Sequence, residues 1–134
     1  METLFQHDYI YTAGVYSVVV LSIIVALAVF EWVTPYTTWE EFRKGNMAVA
    51  MATSGKVFGI ANIFRYSIEA NDSVLGMLGW GGYGFLLLLF VYFIFEFLTP
   101  TFKVDKELEA DNRAVGLLSF ILAVSLSFVI GASI

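Results

Sequence analysis

Ala13-Gly14-Val15-Tyr16-Ser17-Val18-Val19-Val20-Leu21-Ser22-Ile23-Ile24-Val25-Ala26-Leu27-Ala28-Val29-Phe30-Glu31-Trp32-Val33 runs without a break in apolarity until Glu31, near its end. As a helix rising about 1.5 Å per residue it spans roughly the 30 Å hydrocarbon core of a bilayer. Three more stretches of similar length follow. Residues 80–98 hold Leu86, Leu87, Leu88 and Leu89 in a row and one charged residue, Glu96; residues 114–132 hold none. Residues 47–68 are the least apolar and include Lys56, Asn62 and Arg65. A helix still suits this segment, because backbone groups in lipid must be paired within the chain.

Composition agrees. The 134 residues are 59% hydrophobic and 14% charged, with a mean hydropathy of +0.80, against about 25% charged in a soluble domain. So much apolar surface needs a nonpolar solvent as well as a core. A net charge of -5 argues against nucleic acid, whose binders concentrate positive charge. The absence of cysteine excludes disulfides, thiolate metal sites and thiol nucleophiles. The segment before the first span, Met1 to Asp8, carries no Lys or Arg, and the run after it is too long for a signal h-region, so it is expected to be a retained membrane helix.

Breakers separate the spans. Pro35 and Pro100 follow the first and third, and Gly45-Asn46 and Asp111-Asn112 supply helix starts for the second and fourth. Asn71-Asp72-Ser73 marks the middle loop, and Gly76, Gly79, Gly81 and Gly82 are expected to loosen the start of the third span. Arg43 and Lys44 in the first loop, with Lys103, Lys106 and Arg113 in the third, make up five of the seven basic residues. The positive-inside rule puts those loops in the cytoplasm and both termini outside; Trp32, Trp39, Trp80 and Tyr83 then serve as interfacial anchors. The expectation is an all-α membrane protein of four transmembrane helices in a single membrane domain over residues 1–134, N-out and C-out.

The polar boundaries recur. Phe30-Glu31-Trp32-Val33-Thr34-Pro35 matches Phe95-Glu96-Phe97-Leu98-Thr99-Pro100, and Asn46-Met47-Ala48-Val49 matches Asn112-Arg113-Ala114-Val115. This pattern predicts a duplicated helix–loop–helix unit, about 13–70 and about 78–134. With two spans each, the copies are parallel, related by a pseudo-twofold axis along the membrane normal. Small residues mark the packing faces: Ala48, Ala52, Gly55 and Gly59 on the second span, Ser119, Ala123, Ser127 and Gly131 on the fourth. Such residues let helix backbones approach closely in lipid, or join protomers. The second and fourth spans are expected inside, the first and third toward lipid.

The segments Phe30 to Tyr36, Trp39 to Ala50 and Gly55 to Ala61 resemble the bacterial YjfL/YshE family, a duplicated inner-membrane domain of unknown function. The resemblance covers essentially the whole chain. It implies a multipass protein of the bacterial plasma (inner) membrane and brings no catalytic residues. It also implies a neighbourhood of phage-shock-type membrane-stress proteins and ATP-grasp ligases. The second copy here is degenerate, with Leu122 where the first has Lys56 and Gly131 where it has Arg65.

Lys56 is the sharpest feature. About ten residues into its span, it sits near the bilayer centre, where a lysine costs at least ~2.5 kcal/mol and an ionisable group reads as an ion-pathway charge, a proton carrier or an anion-attracting site; the alternative is a neutral or carbonyl-bonded lysine that fixes packing. Glu31 and Glu96, about one turn inside the cytoplasmic interface, are either a pair of carboxylates at a pore mouth or acceptors for the helix starts at Asn46 and Asn112. Asn62 is expected to hydrogen-bond between helices, and Arg65 to snorkel outward. The run Asp105 to Asp111 reads as a solvated loop or short surface helix. His7, the sole histidine, reads as a tail residue, and no phosphate loop, zinc spacing or haem ligand pair appears. No cofactor, metal or enzymatic activity is expected. Two functions fit: an oligomeric ion- or small-solute-permeable channel or transporter-like protein, and a non-transporting scaffold that docks a cytoplasmic protein of an envelope-stress system.

Overall fold

In the computed structural model the backbone is described for residues 2–98 and 103–134, and the side chains for residues 8–95 and 103–134. Among these the chain forms six helices and no strand: α1 Glu2–Val33, α2 Thr38–Arg43, α3 Met47–Ala70, α4 Val74–Leu98, α5 Val104–Glu109 and α6 Arg113–Ser133. Four of them, α1, α3, α4 and α6, contain stretches long and apolar enough to cross a membrane: Asp8–Val33, Met47–Ala70, Val74–Phe95 and Arg113–Ser133. The short helices α2 and α5 lie in the two linkers that join α1 to α3 and α4 to α6.

Contacts along α3 fix the directions of its neighbours. Ala48 lies against Gly116, Gly55 against Phe120 and Gly59 against Ala123, while the Asn62 amide reaches Ser127 and the Tyr66 ring meets Gly131. Both sequences rise together, so α3 and α6 run parallel over their length. Against α4 the order reverses: Ser67 bonds to the Met77 carbonyl, Phe64 packs on Gly81, Ile63 on Gly84 and Gly59 near Leu88. The two linkers therefore share one side of the bundle.

The α3–α6 seam depends on small residues. A methyl built on Gly116 would lie 2.6 Å from Ala48 Cα and 2.8 Å from its carbonyl oxygen; one on Gly55 would lie 2.8 Å from Phe120 Cα. Without a hydrophobic force between helices in lipid, such close approach supplies the van der Waals contact that holds the pair. Across the seam Asn62 Nδ2 donates to Ser127 Oγ at 3.0 Å, and Ser127 donates onward to the Val124 carbonyl at 2.6 Å. The Asn62 oxygen accepts from Arg65 Nε at 3.2 Å, and Arg65 also pairs with Glu69 at 3.4 Å.

Two expectations change here. The glycines after the middle loop do not loosen α4, which runs unbroken from Val74. Gly81 and Gly84 instead admit the Phe64 ring and the Ile63 methyl, a packing role that only a missing Cβ provides. The two small-residue helices are also not equally central. Half of the apolar window of α3 is buried, against 28% for both α4 and α6 and 17% for α1; the far face of α6 exposes Leu117, Ile121 and Val129.

The linkers close in the same way. Asn46 and Asn112 cap α3 and α6, each side-chain oxygen accepting from the backbone N–H three residues on, at 3.0 and 3.4 Å. Immediately before each cap stands a residue with positive φ, Gly45 at 77° and Asp111 at 60°, the left-handed turn that ends the short helix. Asn46 N–H bonds to the Glu41 carbonyl and Asn112 N–H to the Glu107 carbonyl. The linkers also interlock. Asn46 Nδ2 donates to the carbonyls of Leu108 and Glu109 at 2.9 and 3.0 Å, and Asp111 Oδ1 accepts from Ala48 N–H at 3.0 Å.

Candidate functional site

Side chains on an α-helix lean toward its N-terminus, and α3 begins on the linker side. The Lys56 side chain accordingly reaches back toward the linkers. Its Nζ stands 5.1 Å from the centroid of the Phe30 ring and 5.0 Å from that of Tyr92, within the range of cation–π attraction. Phe30 and Tyr92 meet edge to face at 5.7 Å. The last turn of α1, the middle of α3 and the last third of α4 together place the Lys56 amine between two aromatic faces.

Above this cage sits α5. Tyr92 donates its hydroxyl proton to Asp105 Oδ2 at 2.5 Å, and Asp105 is buried although Lys106 and Glu109 beside it are exposed. Val104 and Leu108 turn inward on the same face, so α5 is a cap laid over the helix ends. Glu31 has a different partner from the one expected. It accepts from both the N–H and the hydroxyl of Thr38, the first residue of α2. It thus caps the short helix and not the starts of α3 or α6 at Asn46 and Asn112, because the chain turns back at Pro35 and brings α2 to it first. The Glu96 side chain lies outside the described residues, as does that of His7. Among the described residues no carboxylate approaches Lys56 Nζ to ion-pair distance.

Beside the ammonium is a cavity of about 240 Å³. All four long helices and α5 contribute to its wall. Lys56 and Ala52 come from α3, Leu88 and Tyr92 from α4, Leu122 and Leu126 from α6. Ser119 and Ala123 of the expected seam face it as well. Apart from Lys56, Ser119 and the Tyr92 hydroxyl, its lining is hydrocarbon. Among the described residues no group of His, Asp and Glu is arranged to hold a metal ion.

Of the residues expected to carry function, Lys56 and the seam residues Ala52, Ser119 and Ala123 share this cavity. Gly55, Gly59, Ser127 and Gly131 lie in the α3–α6 contact, Ala48 at its linker end, and Asn62 toward the opposite end. Glu31 stands at the linker. The sequence does not single out Tyr92, and Asp105, expected within a solvated run, is buried instead. The inward spacing of Val104 and Leu108, with Asp105 on the same face, was the available signal for the second. Tyr36 is a third such residue. It is buried just beyond the first span, and its hydroxyl has no hydrogen-bond partner among the described residues. Burial above all, then the carboxylates of Asp105, Glu31, Glu41 and Glu109, push its phenol well above the ordinary value near 10.

Residues 3–134 match a family described as Domain of Unknown Function (DUF350). The chain belongs to that family. It is 56% identical, over the full length of both chains, to the UPF0719 transmembrane protein YshE of Bacillus subtilis (strain 168). No solved structure matches it. Membership in DUF350 and four apolar helices together make this a multipass membrane protein of an uncharacterised family. The Lys56 cage and the interlocked linkers are therefore features of a DUF350 chain, and neither family description assigns them a role.

Proposed function

We propose that this protein is an oligomeric channel- or transporter-like component of the bacterial plasma membrane, with the Lys56 cavity as its working site. The observation that carries the reading is an ammonium set in the wall of an intramembrane cavity with no carboxylate at ion-pair distance among the described residues. Burying such a charge costs free energy, and a purely structural position has no need of it. Because the cavity wall is apolar and four spans make a thin bundle, the permeation path lies between protomers or opens on a conformational change. The linker side, with its exposed Arg43, Lys44, Lys103 and Lys106, is the cytoplasmic side, which leaves both termini outside. The matching caps and left-handed turns of the two linkers support two parallel copies, about 13–70 and 78–134. No catalytic step is assigned.

A second reading, a non-transporting scaffold for cytoplasmic envelope-stress proteins, draws on the exposed linker charges Glu40, Lys44 and Lys103. Of the linker charges Glu40, Glu41, Lys103 and Glu107 on which docking would depend, Glu41 is buried and does not belong to that surface. Flux of K⁺, Na⁺, H⁺ and Cl⁻ through liposomes holding the purified protein separates the two. Transport predicts flux that Lys56→Met alters while folding survives. Absence of flux from folded protein over a range of voltages rejects transport and leaves the scaffold.

A further inference from the structure

An inorganic ion entering a membrane site must exchange its water for polar ligands. The Lys56 cavity offers almost none. Its two other polar lining groups are the Ser119 hydroxyl and that of Tyr92, which is committed to Asp105. What the wall does offer is one positive charge at one end and hydrocarbon elsewhere. The charge lies toward the linkers, over Phe30 and Tyr92. The hydrocarbon continues along α6 through Leu118 and Leu122 to Leu126. From Val115 to Leu126 the lining of α6 extends ~16 Å at the helical rise. A cavity of about 240 Å³ whose lining runs that far along α6 has room for one extended chain.

Two described carboxylates near Lys56 are engaged by other donors, Asp105 by Tyr92 and Glu31 by Thr38. We infer that the cavity binds an organic monoanion with a single unbranched apolar tail, its anionic head on Lys56 Nζ and its tail along Leu118, Leu122 and Leu126. This rests on the Lys56 cavity being the working site and gives the chemical class of what that site takes. The apolar wall solvates the tail, and the head replaces the ring faces as the partner of the ammonium with a charge-assisted hydrogen bond. The same chemistry is met by a free fatty carboxylate and by one arm of an anionic lipid.

The test uses the full chain in phosphatidylcholine nanodiscs, titrated with carboxyl-¹³C decanoate and read by the carboxyl resonance, with empty nanodiscs subtracting simple partitioning. Saturable binding of one decanoate per chain is expected. Lys56→Met should weaken it about tenfold or more, since a charge-assisted bond is lost, and Lys56→Arg should retain it. Leu122→Trp, which fills the tail space and keeps the charge, should abolish it, so the site is still tested should either substitution disturb folding. Decanol binding should not respond to Lys56→Met. Nanodiscs containing phosphatidylglycerol that suppress decanoate binding would name a lipid as the occupant, and unchanged binding a free carboxylate. No saturable component, or equal affinity in Lys56→Met, overturns the inference. Inorganic-ion flux without decanoate binding overturns it while leaving transport standing; decanoate binding without any flux does the reverse.

Discussion

Adding one methyl at Gly116 should separate the two helices that hold this bundle together. The new Cβ would fall 2.6 Å from Ala48 Cα, 2.8 Å from its oxygen and 3.1 Å from its carbonyl carbon. All three are backbone atoms, so no rotamer change relieves the overlap and α3 must move away from α6. Gly79→Ala makes the same covalent change in another membrane helix, where nothing lies within 4 Å of the added methyl. Replacing glycine by alanine within a helix gains up to ~1 kcal/mol of intrinsic propensity, and overpacking a tight contact costs about 1–3 kcal/mol. Gly79→Ala should therefore be neutral or stabilising by up to ~1 kcal/mol. Gly116→Ala carries the same gain against the clash and should come out lower than Gly79→Ala by about 1–3 kcal/mol. The assay is reversible unfolding in mixed micelles with increasing denaturing detergent, followed by helical circular dichroism, the two variants measured in parallel. Equal midpoints for Gly116→Ala and Gly79→Ala would refute the close α3–α6 contact, since propensity cancels between them.

Asn62→Ala should cost about 0.6–2 kcal/mol in the same assay, and a double-mutant cycle with Ser127→Ala should assign much of it to the bond between them. Asp111→Ala loses the acceptor for Ala48 N–H and keeps a β-carbon at φ 60°, whereas Asp111→Gly loses the acceptor and the strained β-carbon together; the alanine variant should be the less stable by roughly 1 kcal/mol. The Tyr36 phenol is held protonated in the folded state, so its contribution is complete below the unfolded value near 10 and declines as pH rises above it toward the folded value. Alkaline unfolding of Tyr36→Phe should show a shallower decline above pH 10 than wild type, and identical slopes would place Tyr36 in contact with solvent.

The four spans were legible because length and apolarity report directly on the bilayer, and Asn46 and Asn112 because capping is a local matter of one side chain and one N–H. Close packing was only half legible. Spacing by three and four revealed which face of α3 and α6 is small, but Gly116, where the backbones come nearest, lies three residues before Ser119 and off the four-residue pattern, whose next position is Val115. The glycines of α4 misled for a related reason. Glycine in water signals a break, and between lipid-exposed helices it signals a neighbour, here Phe64 or Ile63. Glu31 and Asp105 were not legible in their partners, since both depend on how the chain folds back beyond a span. That return is set by tertiary contacts among linkers that look merely polar in sequence.

The bonds between the linkers also bear on biosynthesis. Ala48 N–H, in the first turn of α3, finds its acceptor on Asp111, and the Asn46 amide finds its acceptors on Leu108 and Glu109. When α3 leaves the ribosome, those residues have not yet been translated. The helix must enter the bilayer with its start open to water and wait for more than sixty further residues before it is closed. The first half of the chain is thus inserted before it is finished, and the start of α3 is closed only when the second linker reaches it at the membrane surface.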